Sequence, residues 1–147
     1  MTVHLIKLCV GVDTVQDLRD WQAERLAQLA RSGQTAELCH RTKQMPRRRD
    51  GVLDGGSLYW VIKGFVLVRQ RIVDLRDDAK VDGTPCCGIV LDPELVGTRA
   101  HPRRAFQGWR YLEAADAPAD APFVENAGEE MPRAMRQDLR ELRLIDW

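Results

Sequence analysis

Two basic segments hold the side chains best suited to binding an anion. The first covers residues 40–49 and the second residues 99–110. A guanidinium donates two parallel hydrogen bonds to a phosphate, and an aromatic ring beside it gives a nucleic-acid base a surface for stacking. The rings near these segments are Trp60, Phe106, Trp109 and Tyr111. The pattern predicts a nucleic-acid-binding site composed of Arg41, Lys43, Arg47, Arg48, Arg49, Lys63, Arg103, Arg104, Trp109, Arg110 and Tyr111.

The same arginines have an alternative role, in which they pair with the protein's own carboxylates. Residues 41–110 carry 14 basic and 8 acidic side chains, whereas residues 111–147 carry 4 and 9, and the whole chain is neutral. Such an asymmetry indicates either an anionic partner or pairing between the two halves. In the second case Asp50, Asp54 and the acidic tail supply the carboxylates. Both interpretations are open from the sequence.

Motifs for a metal, a cofactor or a nucleophile are missing from the sequence. The spacing of Cys9, Cys39, Cys86 and Cys87 fits neither metal ligation nor a disulfide framework. Residues 55–59 lack the glycine that a nucleophile elbow requires after its serine, and no glycine-rich phosphate loop occurs. We therefore predict no catalytic residue, no metal and no cofactor.

One weaker arrangement for hydrolysis exists. Lys63 and Glu94, with Thr42 or Ser57 nearby, could supply a base and a polarising group for cleavage of an amide. This arrangement requires the fold to bring residues from distant parts of the chain together.

Size and composition predict one soluble domain over residues 1–147. At this length a chain buries roughly two-thirds of its unfolded surface without disulfides or metals. Apolar residues make up 44% of the chain, which is too many for a disordered protein. No apolar run is long enough to span a membrane, and residues 1–12 do not resemble a secretory signal. We expect a cytoplasmic protein with reduced thiols and no membrane partner.

The elements that position these residues begin with a strand and a helix. Residues 3–8 are apolar at both odd and even positions, as in a strand covered on two faces. Thr14 followed by Asp17 is typical of a helix start, and Gly33 suits its end. Two stripes of the helix follow steps of three and four residues, and we expect one of them to face the core. The first is Val15, Leu18, Gln22 and Leu26, and the second is Leu18, Trp21, Arg25 and Leu29.

A β-hairpin about Lys63-Gly64 is the clearest unit of the middle of the chain. Other strands are predicted at residues 37–43, 86–91 and 108–112, and residues 99–110 read mostly as a basic loop. Residues 113–130 are rich in Ala, Pro and acids, which indicates an extended surface connection. Pro132 suits the first turn of a last helix, with Met135, Leu139 and Leu142 as its buried stripe.

These elements predict an α+β fold. Both faces of the hairpin are apolar near its turn, so each face needs cover, and a closed barrel with helices outside provides it in one domain. We expect a small mixed or antiparallel β-barrel with an N-terminal helix and a C-terminal helix.

In residues 4–11, 46–50, 54–64, 91–96 and 106–112 the sequence resembles an uncharacterised bacterial family known only as a domain of unknown function. That resemblance covers nearly the whole chain and implies no activity.

A looser resemblance is to the PUA-like barrels, including their ASCH branch. It is carried by the basic residues 41–49, a glycine turn, an apolar strand over residues 58–62, and a strand with Arg69 and Arg71 before Val73. It implies a small barrel that binds RNA, or in some members hydrolyses a modified nucleoside.

The leading hypothesis from the sequence is a non-enzymatic module that binds RNA or a nucleotide. One alternative is an assembly subunit that contacts a protein partner through its acidic tail. Another is a small amidohydrolase that acts on a modified nucleoside.

Overall fold

The computed structural model describes residues 1–124, and the predicted C-terminal helix therefore lies outside the described residues. Within these residues, seven strands, two α-helices and a short 3-10 turn follow one another. In order they are β1 (Val3–Leu8), α1 (Val15–Arg31), β2 (Leu38–Thr42), α2 (Arg49–Leu53), β3 (Ser57–Ile62), β4 (Phe65–Ala79), β5 (Pro85–Leu91), β6 (Val96–Pro102), β7 (Trp109–Glu113) and the 3-10 turn Ala114–Asp116.

The strands form a mixed sheet in the order β2-β5-β4-β3-β1-β7, with β6 paired to β4. The long β4 pairs with β3 and β6 through its first half and with β5 through its second half. All pairs are antiparallel except β1 with β3, whose parallel contact is reached through α1, β2 and α2. The α+β class predicted from the sequence is confirmed.

The predicted barrel is wrong for the part of the chain that the structure describes. The strands β2 and β7 end the hydrogen-bonded path and do not pair with each other, so the sheet stays open. The fold therefore gives no support to the PUA-like resemblance. Cover for the larger core comes instead from α1, and Phe106 and Ala117 pack against the smaller core on the other face.

Two apolar cores lie on opposite faces of this sheet. The larger contains Val3 and Leu5, and the smaller contains Ile6. Consecutive residues of a strand point to opposite faces, so β1 contributes to both cores, as its sequence predicted.

Helix α1 covers the face of the larger core. Thr14 caps it by accepting a hydrogen bond from the Asp17 amide, as predicted. Its buried residues are Val15, Leu18 and Gln22, whereas Trp21 is 60% exposed. The stripe through Trp21 was therefore the wrong one of the two predicted, because the helix turns its Gln22 side toward the sheet.

The hairpin of β3 and β4 turns at Lys63 and Gly64, as predicted. Both residues have positive φ, at 52° and 85°, which is the backbone of the tight turn that joins two twisted strands. Ile62 pairs with Phe65, but a bulge after Trp60 shifts the register. Trp60 therefore pairs with Val68, and both belong to the larger core, whereas Val61 and Val66 belong to the smaller one.

The basic segment 99–110 is a loop only in its middle, at residues 103–108. Strand β6 occupies its first residues, and the chain after β7 pairs with β6 in turn. The Arg99 amide donates to the Ala119 carbonyl and the Ala121 amide to the Gly97 carbonyl, both at 2.9 Å. Glu113, the first residue of the predicted surface connection, is the last residue of β7. Whether all 147 residues form one domain stays a prediction.

Candidate functional site

A cleft between α1 and the sheet is one of the concave sites among residues 1–124. Its volume is about 410 Å³, within the range typical of small-molecule sites. The cleft opens at the carboxyl end of β1, where open sheets with parallel strands commonly bind ligands. We call it the α1–sheet cleft. The residues that line it include Lys7, Cys9, Trp21, Gln22, Arg25, His40 and Trp60.

The floor of the α1–sheet cleft is held by a buried amide network. Gln70 accepts hydrogen bonds from the Trp60 indole nitrogen and from Gln22 Nε2, each at 2.8 Å. The Gln70 amide nitrogen donates to Gln22 Oε1 at 2.9 Å and to the Asp92 carbonyl at 3.0 Å. Because every polar group of this network has a partner, the network fixes the Trp60 ring and closes the cleft at its inner end.

His40 on β2 packs edge-to-face on Trp60, with ring centroids 5.2 Å apart. Two strands separate β2 from β3 in the sheet, which would place them about 14 Å apart if it were flat. The ring contact therefore shows how strongly the sheet curves over the cleft.

The His40 imidazole is neutral at physiological pH. Burial, and to a smaller extent the charge of Lys7, lowers its pKa to about 4. Its Nε2 atom is buried and has no hydrogen-bond partner among the described residues. The imidazole therefore adds no charge to the cleft.

Lys7 supplies one positive charge to the cleft. It lies opposite Trp60 on β3 and opposite Trp109 on β7, so the three side chains share one face of the sheet. Burial lowers the pKa of Lys7, because the ammonium is partly removed from water. Within residues 1–124 it forms no ion pair, and an anionic ligand would offset this loss of hydration.

Arg25 on α1 is the second cation of the lining, and no carboxylate of residues 1–124 lines the cleft. Burial raises the pKa of the Cys9 thiol to about 12, so Cys9 stays protonated and is a poor nucleophile. An adjoining cavity of about 820 Å³ shares Trp21, Arg25 and His40, but there Arg41 and Arg76 face several carboxylates. The excess of positive charge therefore belongs to the α1–sheet cleft.

Several of the predicted phosphate-binding residues are paired with carboxylates. Arg41 contacts Asp78 at 2.9 Å, Lys63 contacts Asp13 at 3.1 Å, and Arg49 lies 3.6 Å from Asp74. Arg49 also donates to the Leu75 carbonyl, and Arg48 pairs with Glu113. Lys43 and Arg47 are exposed and have no ion-pair partner within residues 1–124.

The two predicted stacking rings on β7 lie beside the first basic segment. The Trp109 indole nitrogen donates to the Gln44 carbonyl at 2.9 Å, and Tyr111 Oη accepts from the Arg48 amide at 3.0 Å. The two rings are in edge-to-face contact, with centroids 4.8 Å apart, and both are partly exposed. They face the same side of the sheet as Lys7 and Trp60.

The second basic segment lies on the opposite face. Arg110 pairs with Ile6 of the smaller core, and both Arg103 and Arg110 contact the ring of Phe106, at 5.4 and 5.2 Å. Arg104 is exposed. The structure therefore brings Gln44 and Arg48 of the first basic segment against Trp109 and Tyr111, but it separates Arg103 and Arg110 from these rings by the thickness of the sheet.

The residues considered for hydrolysis do not converge. Ser57 and Lys63 stand at opposite ends of β3, and Ser57 Oγ accepts a hydrogen bond from Arg69 at 3.0 Å. Residues 1–124 contain no group of three His, Cys, Asp or Glu side chains placed to hold a metal ion. None of the helices in the same residues is long and apolar enough to cross a lipid bilayer.

Sequence reasoning named Trp60 and His40 but missed Lys7, Gln22 and Arg25 as members of one site. A signal was present in two of them: Lys7 is a charge within an apolar strand, and Gln22 is an amide within an apolar helix stripe. Their convergence depends on the crossover from β1 to β3, which no local pattern specifies.

The fold defines an α+β protein with a cleft between α1 and the sheet. Residues 5–145 match the family described as "Protein of unknown function (DUF1489)", and the chain belongs to that family. No curated protein and no solved structure matches the chain. Membership of this family carries no established activity.

Proposed function

We propose that the protein is a nucleotide- or RNA-binding module whose ligand enters the α1–sheet cleft. The observation that carries this proposal is the presence of Lys7 and Arg25 in a cleft that is lined by two indoles and, in the described part of the chain, by no carboxylate. The proposal concerns binding alone and does not include turnover.

A nucleotide matches the two halves of this lining. Its base is flat and uncharged, and suits the exposed Trp21 ring at the mouth and the mainly apolar walls beyond it. Its phosphate suits the Lys7 ammonium and the Arg25 guanidinium, which donate charge-assisted hydrogen bonds. Because the cleft is partly shielded from water, those contacts are stronger than they would be on an open surface.

Calorimetric titration with nucleoside monophosphates and the matching nucleosides tests the proposal. We expect the monophosphates to bind more tightly, and Lys7→Met to weaken them about tenfold or more, since hydrogen bonds to charged groups contribute about 1.5–3 kcal/mol. Arg25→Met should act in the same direction.

Arg31→Met is the matched control, because Arg31 lies on α1 outside the cleft and pairs with Glu24 at 3.1 Å. It should leave nucleotide affinity unchanged. Absence of binding by every nucleotide, or equal affinities of the Lys7→Met and unmodified proteins, would refute the proposal.

The alternative of an assembly subunit depends mainly on residues 125–147, which lie outside the described part of the chain. Deleting residues 125–147 and comparing the captured partners with those of the full chain would test it. Unchanged partners would remove its support.

A further inference from the structure

We infer that the α1–sheet cleft takes the terminal nucleotide of a single RNA strand, and that the strand continues over Trp109 and Tyr111 past Lys43 and Arg47. The inference rests on the proposed function and names the class of ligand for the same site.

The cleft and the β7 rings are joined by Lys7. Lys7 is the register partner of Trp60 on one side and of Trp109 on the other. Neighbouring strands are about 4.8 Å apart, so Trp60, Lys7 and Trp109 form a row across three strands on one face. A phosphate held by Lys7 therefore stands between the cleft and the partly exposed ring of Trp109.

The first basic segment reaches the same place from the other side. His40 lines the cleft, and four residues later the Gln44 carbonyl accepts the hydrogen bond of Trp109. Arg48 and Arg49 hold this segment in position through Glu113 and Asp74. Lys43 and Arg47 keep cationic groups in solvent, without an ion-pair partner among residues 1–124, where further phosphates would lie.

The closed inner end indicates a strand terminus. Gln22 and Trp60 line the cleft and are bonded to Gln70, which is fully buried, so the cleft ends against packed protein on this side. A continuous strand would need a second exit there, whereas a terminal nucleotide needs one opening. The rings of Trp109 and Tyr111 then offer a stacking surface for the next base, which a free mononucleotide does not reach.

Competition titrations with a mononucleotide and with single-stranded RNAs of two, four and eight nucleotides test this inference. We expect the four-nucleotide RNA to bind at least tenfold more tightly than the mononucleotide. A circular RNA of eight nucleotides should bind at least tenfold more weakly than the linear one, because it has no end to enter the cleft.

A double variant, Lys43→Met with Arg47→Met, tests the surface outside the cleft over which we expect the strand to continue. Affinity for the mononucleotide should not change, whereas affinity for the four-nucleotide RNA should fall about tenfold. The slope of log affinity against log salt should drop by about 1.4 for two lost phosphate contacts. Arg103→Met with Arg104→Met, which lie in the second basic segment, is the matched control and should change neither affinity.

Equal affinities for one and four nucleotides, or for linear and circular RNA, would overturn the inference while leaving nucleotide binding intact. An equal loss of RNA affinity in the control variant, Arg103→Met with Arg104→Met, would also overturn the inference. If the proposed function itself is wrong, the mononucleotide also fails to bind, and this result distinguishes the two failures.

Discussion

The indole nitrogen of Trp60 lies 2.8 Å from Oε1 of Gln70, and both side chains are buried between α1 and the sheet. The same oxygen accepts from Gln22 of α1. One glutamine of β4 thus sets both the position of the helix and the floor of the cleft.

Replacing Gln70 with Met should lower the free energy of unfolding by about 2–4 kcal/mol, because Trp60 and Gln22 then keep buried polar groups without partners. Urea denaturation measures this loss. Gln22→Met combined with Gln70→Met should cost less than the sum of the single variants, since the second change removes an unsatisfied amide. Additive costs would show that the two glutamines are not coupled.

Stability should fall in acid because of His40. Its pKa is about 4 in the folded protein and near 6.5 when unfolded, so the unfolded state binds more protons between these values. The stabilisation is present above pH 6.5 and is lost as the pH falls toward 4, by an amount on the order of 2 kcal/mol between pH 7.5 and pH 4.5.

Urea denaturation at pH 7.5 and pH 4.5 checks this expectation, with His40→Gln as the comparison. The variant should lose less stability than the unmodified protein over that interval. His4, whose pKa is lowered by burial and by Arg69, acts in the same direction but contributes equally to both proteins. The same pH dependence in both would contradict a buried neutral His40.

Two glycines should differ sharply in their tolerance of alanine. Gly64→Ala places a Cβ in open space at φ 85°, so only the strained backbone opposes it, at about 1 kcal/mol. At Gly56 a Cβ would lie 2.3 Å from the Val52 carbonyl oxygen and 2.5 Å from that of Val3. Because both atoms belong to the backbone, Gly56→Ala should cost about 3 kcal/mol or more. Thermal unfolding ranks the two, and a milder effect at Gly56 would contradict this packing.

Asp120 should hold the chain after β7 against the sheet. It accepts two hydrogen bonds from Arg69, both at 2.8 Å, and these lower the pKa of its carboxyl. Asp120→Ala should lower the free energy of unfolding by only about 1 kcal/mol, because the pair is partly exposed.

The local effect of the same substitution should be larger. Hydrogen exchange at the amides of Arg99 and Ala121, which bond across this pairing, should become faster. Asp116→Ala, in the same segment but without an ion pair within residues 1–124, is the control. Equal exchange in both variants would show that the Asp120 contact does not hold the segment.

Local signals explain which elements the sequence predicts correctly. The cap at Thr14, the turn at Lys63-Gly64 and the two-faced apolar pattern of β1 each depend on a few neighbouring residues, and all three are present. The sequence of β6 predicts a loop, because Arg99 and His101 give it a polar, basic composition. Pairing with β4 outweighs that composition.

The candidate site was only partly predictable, because its residues come from separate parts of the chain. Trp21 and Gln22 are adjacent in sequence, and helical periodicity alone does not decide which of them faces the sheet. The partner of Gln22 is Gln70, 48 positions away. Ion pairing of Arg41 and Arg48 likewise depends on Asp78 and Glu113, which the sequence leaves unassigned.

The parallel contact of β1 with β3 has a consequence for the order in which this protein folds. Its register partners, such as Leu5 and Leu58, are joined by a long intervening stretch, so closing that loop is slow compared with forming the adjacent β3–β4 hairpin. We expect the hairpin to assemble early and β1 to join it late. Ligand affinity would then arise only at the last stage of folding, which makes binding a stringent reporter of the fully native chain.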